Sequence, residues 1–125
     1  MKIMEFEDFE KVVNEILKDI PEEYRRILRD ERIEVICREY VPVGVRQQFP
    51  GKVVFGLFAG ISKNKKTTLS VQVQPTRIEI YKESFEIVFG RKITGEMKEQ
   101  IYRTLVHEIA HYFGFNEEDV RERGY

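Results

Sequence analysis

The chain has 125 residues, a formal net charge of −1, and 42% hydrophobic against 34% charged residues. That size and balance predict a single domain over residues 1–125 with a real core, and exclude a disordered or strongly basic, polyanion-binding chain. No apolar run approaches the roughly 18–20 residues that span a bilayer, "MKIMEFEDFE" lacks the apolar stretch of a signal peptide, and one cysteine fits a reducing, cytoplasmic setting.

In chain order, Phe6, Phe9, Val13, Ile16 and Ile20 recur at three and four. They predict an amphipathic helix from Glu5 to Ile20, with acidic residues at the start where the dipole favours them. Pro21 suits the first turn of a second helix, "PEEYRRIL". "RIEVICRE" alternates and reads as a strand, with Ile33, Val35 and Cys37 on its core face. "YVPVGVRQQFPG" has two prolines and two glycines and reads as a loop. "KVVFGLFAGI" reads as a strand, central because it is almost continuously apolar. "SKNKKT" is a turn, and "TLSVQVQ" alternates as an edge strand with a polar face. "RIEIY" is a further strand. The expected fold class is α+β, a small mixed or antiparallel sheet packed by helices.

The last long element is a helix from about Thr94 to Phe113. Thr94 is a natural N-cap. Met97, Ile101, Leu105 and Ile109 lie four apart on the buried side, widened by Tyr102, Val106 and Phe113. Gly114 can end the helix, and Asn116 can cap a short terminal one. The chain's two histidines, His107 and His111, are both on this helix. Residues four apart sit about 5–6 Å apart at Cβ, so both imidazoles can converge on one Zn2+ ion. A spacing of two would place them on opposite sides. Glu108 lies about 100° around the helix from His107 and can flank the metal without being forced to bind it. Gln100, Arg103 or Thr104, His107 and His111 form one polar edge on an otherwise apolar helix, as a helix lining a cleft requires.

A zinc hydrolase needs a third protein ligand and an open fourth position. Gly114 lets the chain reverse, and Glu117, ten residues after His107, is the favoured third ligand. Glu118 and Asp119 are neighbours able to do the same. Their other reading is the acidic first turn of a terminal helix. The sequence stops eight residues after Glu117, so the expected site is shallow and weakly active on generic proteins.

The series His107-Glu108-x-x-His111-x-x-Gly114-x-x-Glu117 resembles the zincin metallopeptidases. More narrowly the chain resembles the minimal zincins, small prokaryotic zincin-like proteins. "FEDFEKVVNEILKDIPEEYRRIL", "FGLFAG", "PTRIEIYKESFE" and "HEIAHYFG" match that family's opening helix, glycine-bounded strand, strand-plus-turn segment and active-site helix, in order. The resemblance implies zinc on His107 and His111, with Glu108 as the general base of amide hydrolysis. The family usually carries aspartate where Glu117 stands. No methionine follows Met97, so the chain lacks the methionine turn of the metzincins.

The implied activity is that of a zinc-dependent metallopeptidase acting on a peptide or protein, with no nucleic-acid or membrane partner. Tyr81, Arg103 and Tyr112 are candidate donors to the developing oxyanion. One rival is a metal-dependent endoribonuclease that spaces its ligands alike, but that family has a small residue at the position of Glu108. "KNKK" at residues 63–66 is the only compact basic run and reads as a solvated turn. The other rival is a non-enzymatic, metal-stabilised binding module, whose site would be closed by a fourth protein ligand. Cys37 reads as core packing rather than as half of a Cys–His nucleophile pair.

Overall fold

A computed structural model of the protein describes residues 2–59 and 76–112, and of Tyr112 the backbone only. Helix α1 spans Phe6–Leu17 and buries Phe9, Val12, Val13 and Ile16. At its start the Asp8 carboxylate accepts a hydrogen bond from the Glu5 backbone N–H at 2.8 Å, satisfying one donor that the first turn leaves open. Helix α2 spans Glu22–Asp30, with Pro21 as its N-cap. Arg32, at φ 54°, turns the chain into strand β1, Glu34–Arg38. As the alternation predicts, Ile33, Val35 and Cys37 face the core.

Residues expected as a loop contain a short helix, α3, Val43–Gln48. Its N-cap, Pro42, sits at φ −59°, so the ring presets the entry and the Pro42 carbonyl accepts from Val45 and Arg46. Strand β2, Gly56–Ala59 among the described residues, begins later than the predicted start at Lys52. The residues before it bond to the start of a later helix instead of a ladder: Val54 O accepts from Ser84 Oγ at 2.6 Å, and Phe55 O from Tyr81 N at 2.9 Å. The predicted turn 62–67 and strand 68–74 lie outside the described residues.

Strand β3, Arg77–Tyr81, coincides with "RIEIY". It pairs parallel with β1 and antiparallel with β2, giving the order β1-β3-β2 among the described strands and a mixed sheet. Among the described strands β3 is the middle one, paired on both sides. The reason is burial: Ile78 and Ile80 are inaccessible on one face of β3, and Glu79 and Tyr81 are buried on the other. That second face carries charge. Glu79 accepts from Arg38 at 2.9 Å, Arg77 at 2.8 Å and the Tyr81 hydroxyl at 2.9 Å.

Helix α4, Lys82–Phe89, follows β3 without a break. The sequence reading had only a turn there, because exposed Ile87 and Val88 blur the helical period. What holds it is a Lys82–Glu86 pair at 2.7 Å and the rings of Phe85 and Phe89, both packed on Phe55. Gly90, at φ 88°, ends it in a conformation that disfavours a side chain.

Helix α5, Gly95–Tyr112, is the longest element. Thr94 caps it as predicted, its Oγ1 accepting from the Met97 N–H at 3.1 Å. Met97, Ile101, Leu105 and Ile109 are fully inaccessible. Each such burial contributes about 1.5–3 kcal/mol, which fixes the rotation of the helix. α5 packs on β2 and β3 and against α1 and α2. Among the described residues no helix is long and apolar enough to cross a membrane.

Candidate metal centre

Burying one side of α5 dictates what the other side presents. The row Gln100, Thr104, His107, His111 advances by four, three and four, so it stays on one side of the helix. Thr104 is buried, its Oγ1 donating to Gln100 O at 2.8 Å and accepting from Gln100 Nε2 at 3.2 Å. Its methyl packs on Gly56, where an added Cβ would stand 3.0 Å from Thr104 Cγ2. The polar row therefore begins at the seam with β2 and emerges at the histidines.

His107 is partly exposed, and the His111 side chain is 49% exposed. Their ring centroids are 6.5 Å apart with planes at 89°. Two imidazoles sharing one zinc, at about 2.0–2.1 Å per nitrogen, have centroids roughly 5–6 Å apart. A small side-chain rotation closes that difference, so the pair fits a shared divalent ion. Glu108, only 16% exposed, places Oε2 3.7 Å from His111 Nδ1, beyond hydrogen-bond range but in reach of a charged imidazole.

Among the described residues, no group of three or more His, Cys, Asp or Glu is placed to hold a metal ion. The two histidines supply two candidate ligands. Gly114, Asn116, Glu117, Glu118 and Asp119 lie outside the described residues. Of the candidate oxyanion donors, Tyr81 is fully buried and its hydroxyl is committed to Glu79, on the sheet face turned away from Ile78, Ile80 and α5. Burial first, then that hydrogen bond, raises its pKa. Arg103 is exposed and paired with Glu99 at 2.8 Å. The Tyr112 side chain is not described.

Cys37 packs against the core, and burial pushes its thiol up to about 12, as expected of a packing residue and not of a nucleophile. Sequence reasoning missed the Glu79 cluster. Its signal was present: a glutamate between two core isoleucines, flanked by Arg77 and Tyr81 at the strand period of two. Burial is the largest influence on Glu79 and acts upward. The hydrogen bonds from Arg38, Arg77 and Tyr81 together outweigh it and hold the carboxyl below its ordinary value.

No curated protein matches the chain. A sequence profile of the zincin-like metallopeptidase family matches residues 31–125, which include β1 to α5 and both histidines, and the chain belongs to that family.

Proposed function

We propose that the protein is a zinc-dependent metallopeptidase that hydrolyses an amide bond of a peptide or protein. The observation that carries this reading is the α5 constellation in a member of that family: two imidazoles one turn apart with a carboxylate between them. His107 and His111 would hold the ion through neutral ring nitrogens. Glu117 is the proposed third ligand, with Glu118 and Asp119 as its alternates. Zinc, when bound, supplies Lewis acidity toward the scissile carbonyl and toward water.

The chain's own residues do the rest. The buried row from Met97 to Ile109 fixes the helix and thereby the spacing of the two rings. Glu108 is the general base: it takes a proton from the attacking water and returns it to the leaving nitrogen, a role worth about 10²–10⁴-fold in rate. Its side chain is only 16% exposed, so its carboxylate is held beside the histidine pair. We place this activity in a single domain and a reducing, cytoplasmic compartment, where one cysteine needs no partner.

The test is turnover. The zinc-loaded protein should cleave members of a mixed peptide library, and Glu108→Gln should lose that cleavage while keeping its zinc. Zinc retained by a wild type that cleaves nothing would favour the non-enzymatic binding module instead.

A further inference from the structure

Large apolar side chains are exposed around the outer face of α4. Tyr40, Val43, Val53, Ile87 and Val88 are between 46% and 69% exposed, and among the described residues only Ile3 adds to them. Hydrogen bonds show that they adjoin. The Glu83 N–H donates to Glu39 O at 3.1 Å, and Glu83 Oε1 accepts from the Val41 N–H at 3.0 Å and from Arg46. On the other side, Ser84 Oγ donates to Val54 O. Ile87 follows Glu83 and Ser84 by four and three positions, and a helical side chain leans back over the preceding turn. It therefore stands between residues 40–43 and Val53, with Val88 on the side of Val53. A contiguous exposed apolar patch marks an interaction surface.

The charge around this patch selects its occupant. Residues 40–59 contain no aspartate or glutamate, although 22 of the chain's 125 residues are acidic, and their two charges are Arg46 and Lys52. The nearby carboxylates turn inward. Glu39 and Glu86 bind the buried Lys82 at 3.1 and 2.7 Å, and Glu83 binds the Val41 N–H. Arg46 and Arg91 meet Glu83 and Glu86, and each is more exposed than the carboxylate it meets. Lys52 is exposed and has no ion-pair partner among the described residues. The charge most open to solvent is thus basic. A second copy of the chain would set these cations against their own counterparts across a twofold axis, which like charges oppose.

We propose that this face docks an acidic segment of a partner protein, its apolar side chains on Val43, Val53 and Ile87 and its carboxylates against Arg46 and Lys52. Such a seat has the anatomy of a protein interface, an apolar centre with a charged rim. It is separate from the histidines. α4 meets α5 through Phe89, beside Glu96, which precedes His107 by eleven positions, about 16 Å along the helix. A bound partner therefore leaves the histidine pair open, and the proposal stands whether or not the chain hydrolyses peptides.

The experiment selects binders to the full chain from an unbiased dodecapeptide library and keeps those that Ile87→Ser fails to hold. Ile87→Ser and Lys52→Glu change exposed side chains, so both variants should unfold at the wild-type temperature. Peptides that need Ile87 should be rich in aspartate and glutamate around two or three large apolar residues. Such a peptide, labelled with fluorescein and read by anisotropy, should bind Ile87→Ser about tenfold more weakly, as expected for loss of a buried aliphatic contact. Lys52→Glu should weaken it roughly fivefold at low salt, the size of a partly exposed ion pair. That second loss should close in about 0.5 M salt, where the screening length is only a few ångströms. Selected peptides that are neutral or basic, or no peptide that needs Ile87, would overturn the proposal. So would a wild-type dimer in sedimentation that Ile87→Ser abolishes, since a second copy then covers the face. Binding to phosphatidylserine vesicles but to no acidic peptide would overturn it in favour of a membrane.

Discussion

Thr104 Cγ2 occupies the space that a side chain on Gly56 would need. A Cβ there would stand 3.0 Å from that methyl, and 2.8 Å from both Glu79 O and Ile80 Cδ1. Helix α5 therefore lies on β2 at close range, one turn before His107, and the absent side chain sets how near the histidine helix comes to the sheet.

Gly56→Ala should accordingly be destabilising, by about 1–3 kcal/mol, the usual cost of overpacking a filled core. Denaturant unfolding measures it. Thr104→Ser, which removes the methyl, should recover part of the loss in the double variant. The recovery is partial because the Glu79 carbonyl and Ile80 remain. A fully additive double variant would show that helix and strand do not meet through this pair.

Cys37 should be inert in the folded protein. With its thiol raised to about 12 by burial, only about one molecule in ten thousand carries the thiolate at pH 8, and the thiolate is what reacts. A disulfide reagent should modify it slowly in the native state and promptly after unfolding. Prompt, stoichiometric reaction of the native protein would contradict the packing role.

Glu79→Gln should lower stability by about 1–3 kcal/mol near neutral pH, because it weakens charge-assisted bonds from Arg38 and Arg77 in a buried setting. The sign of the pH dependence follows from the lowered carboxyl pKa of the folded state. The unfolded glutamate titrates near its ordinary value of about 4.3. Above that pH the stabilisation is fully present. It is lost as pH falls through the lower folded value, since the folded state then takes up the proton that the unfolded state already holds. Wild type and Glu79→Gln should differ in unfolding free energy at pH 6–7 and converge under acid. A gap that widens as pH falls from 6 would refute this account.

What was legible in the sequence were the elements whose period is clean. The row Met97, Ile101, Leu105, Ile109 and the Thr94 cap define α5 before any coordinates are known, and "RIEIY" defines β3 residue for residue. Helix α4 was not legible, since Ile87 and Val88 are apolar yet exposed and Lys82 is charged yet buried between Glu39 and Glu86. The middle place of β3 among the described strands was not legible for a related reason. An apolar run marks burial, but "RIEIY" is buried through a charged cluster, and its glutamate disguises the central strand. The histidine pair was legible because spacing on a helix is geometry, whereas Glu117, the proposed third ligand, is tied to the pair by no helical period and lies outside the described residues.

The last prediction separates ligand from base. His107→Ala and His111→Ala should each strip zinc from the protein. Loss of an outer partner of a ligand alone costs 10–100-fold in affinity, so loss of a ligand should exceed about 100-fold. Glu117→Ala should weaken binding in the same sense, with Glu118→Ala and Asp119→Ala near wild type if the assignment is right. Glu108→Gln should keep its zinc, because the neutral amide is isosteric and the residue accepts a proton instead of binding the ion. Competition with a chromogenic chelator gives the affinities, and elemental analysis gives the zinc per chain. The histidine variants should remain folded, since neither ring belongs to the buried core and His111 is half exposed. Their unfolding without added metal should therefore match that of the metal-free wild type. Zinc retained at wild-type affinity by His111→Ala would remove the pair from the metal site. Zinc lost in Glu108→Gln but kept in Glu117→Ala would exchange the roles assigned to the two glutamates.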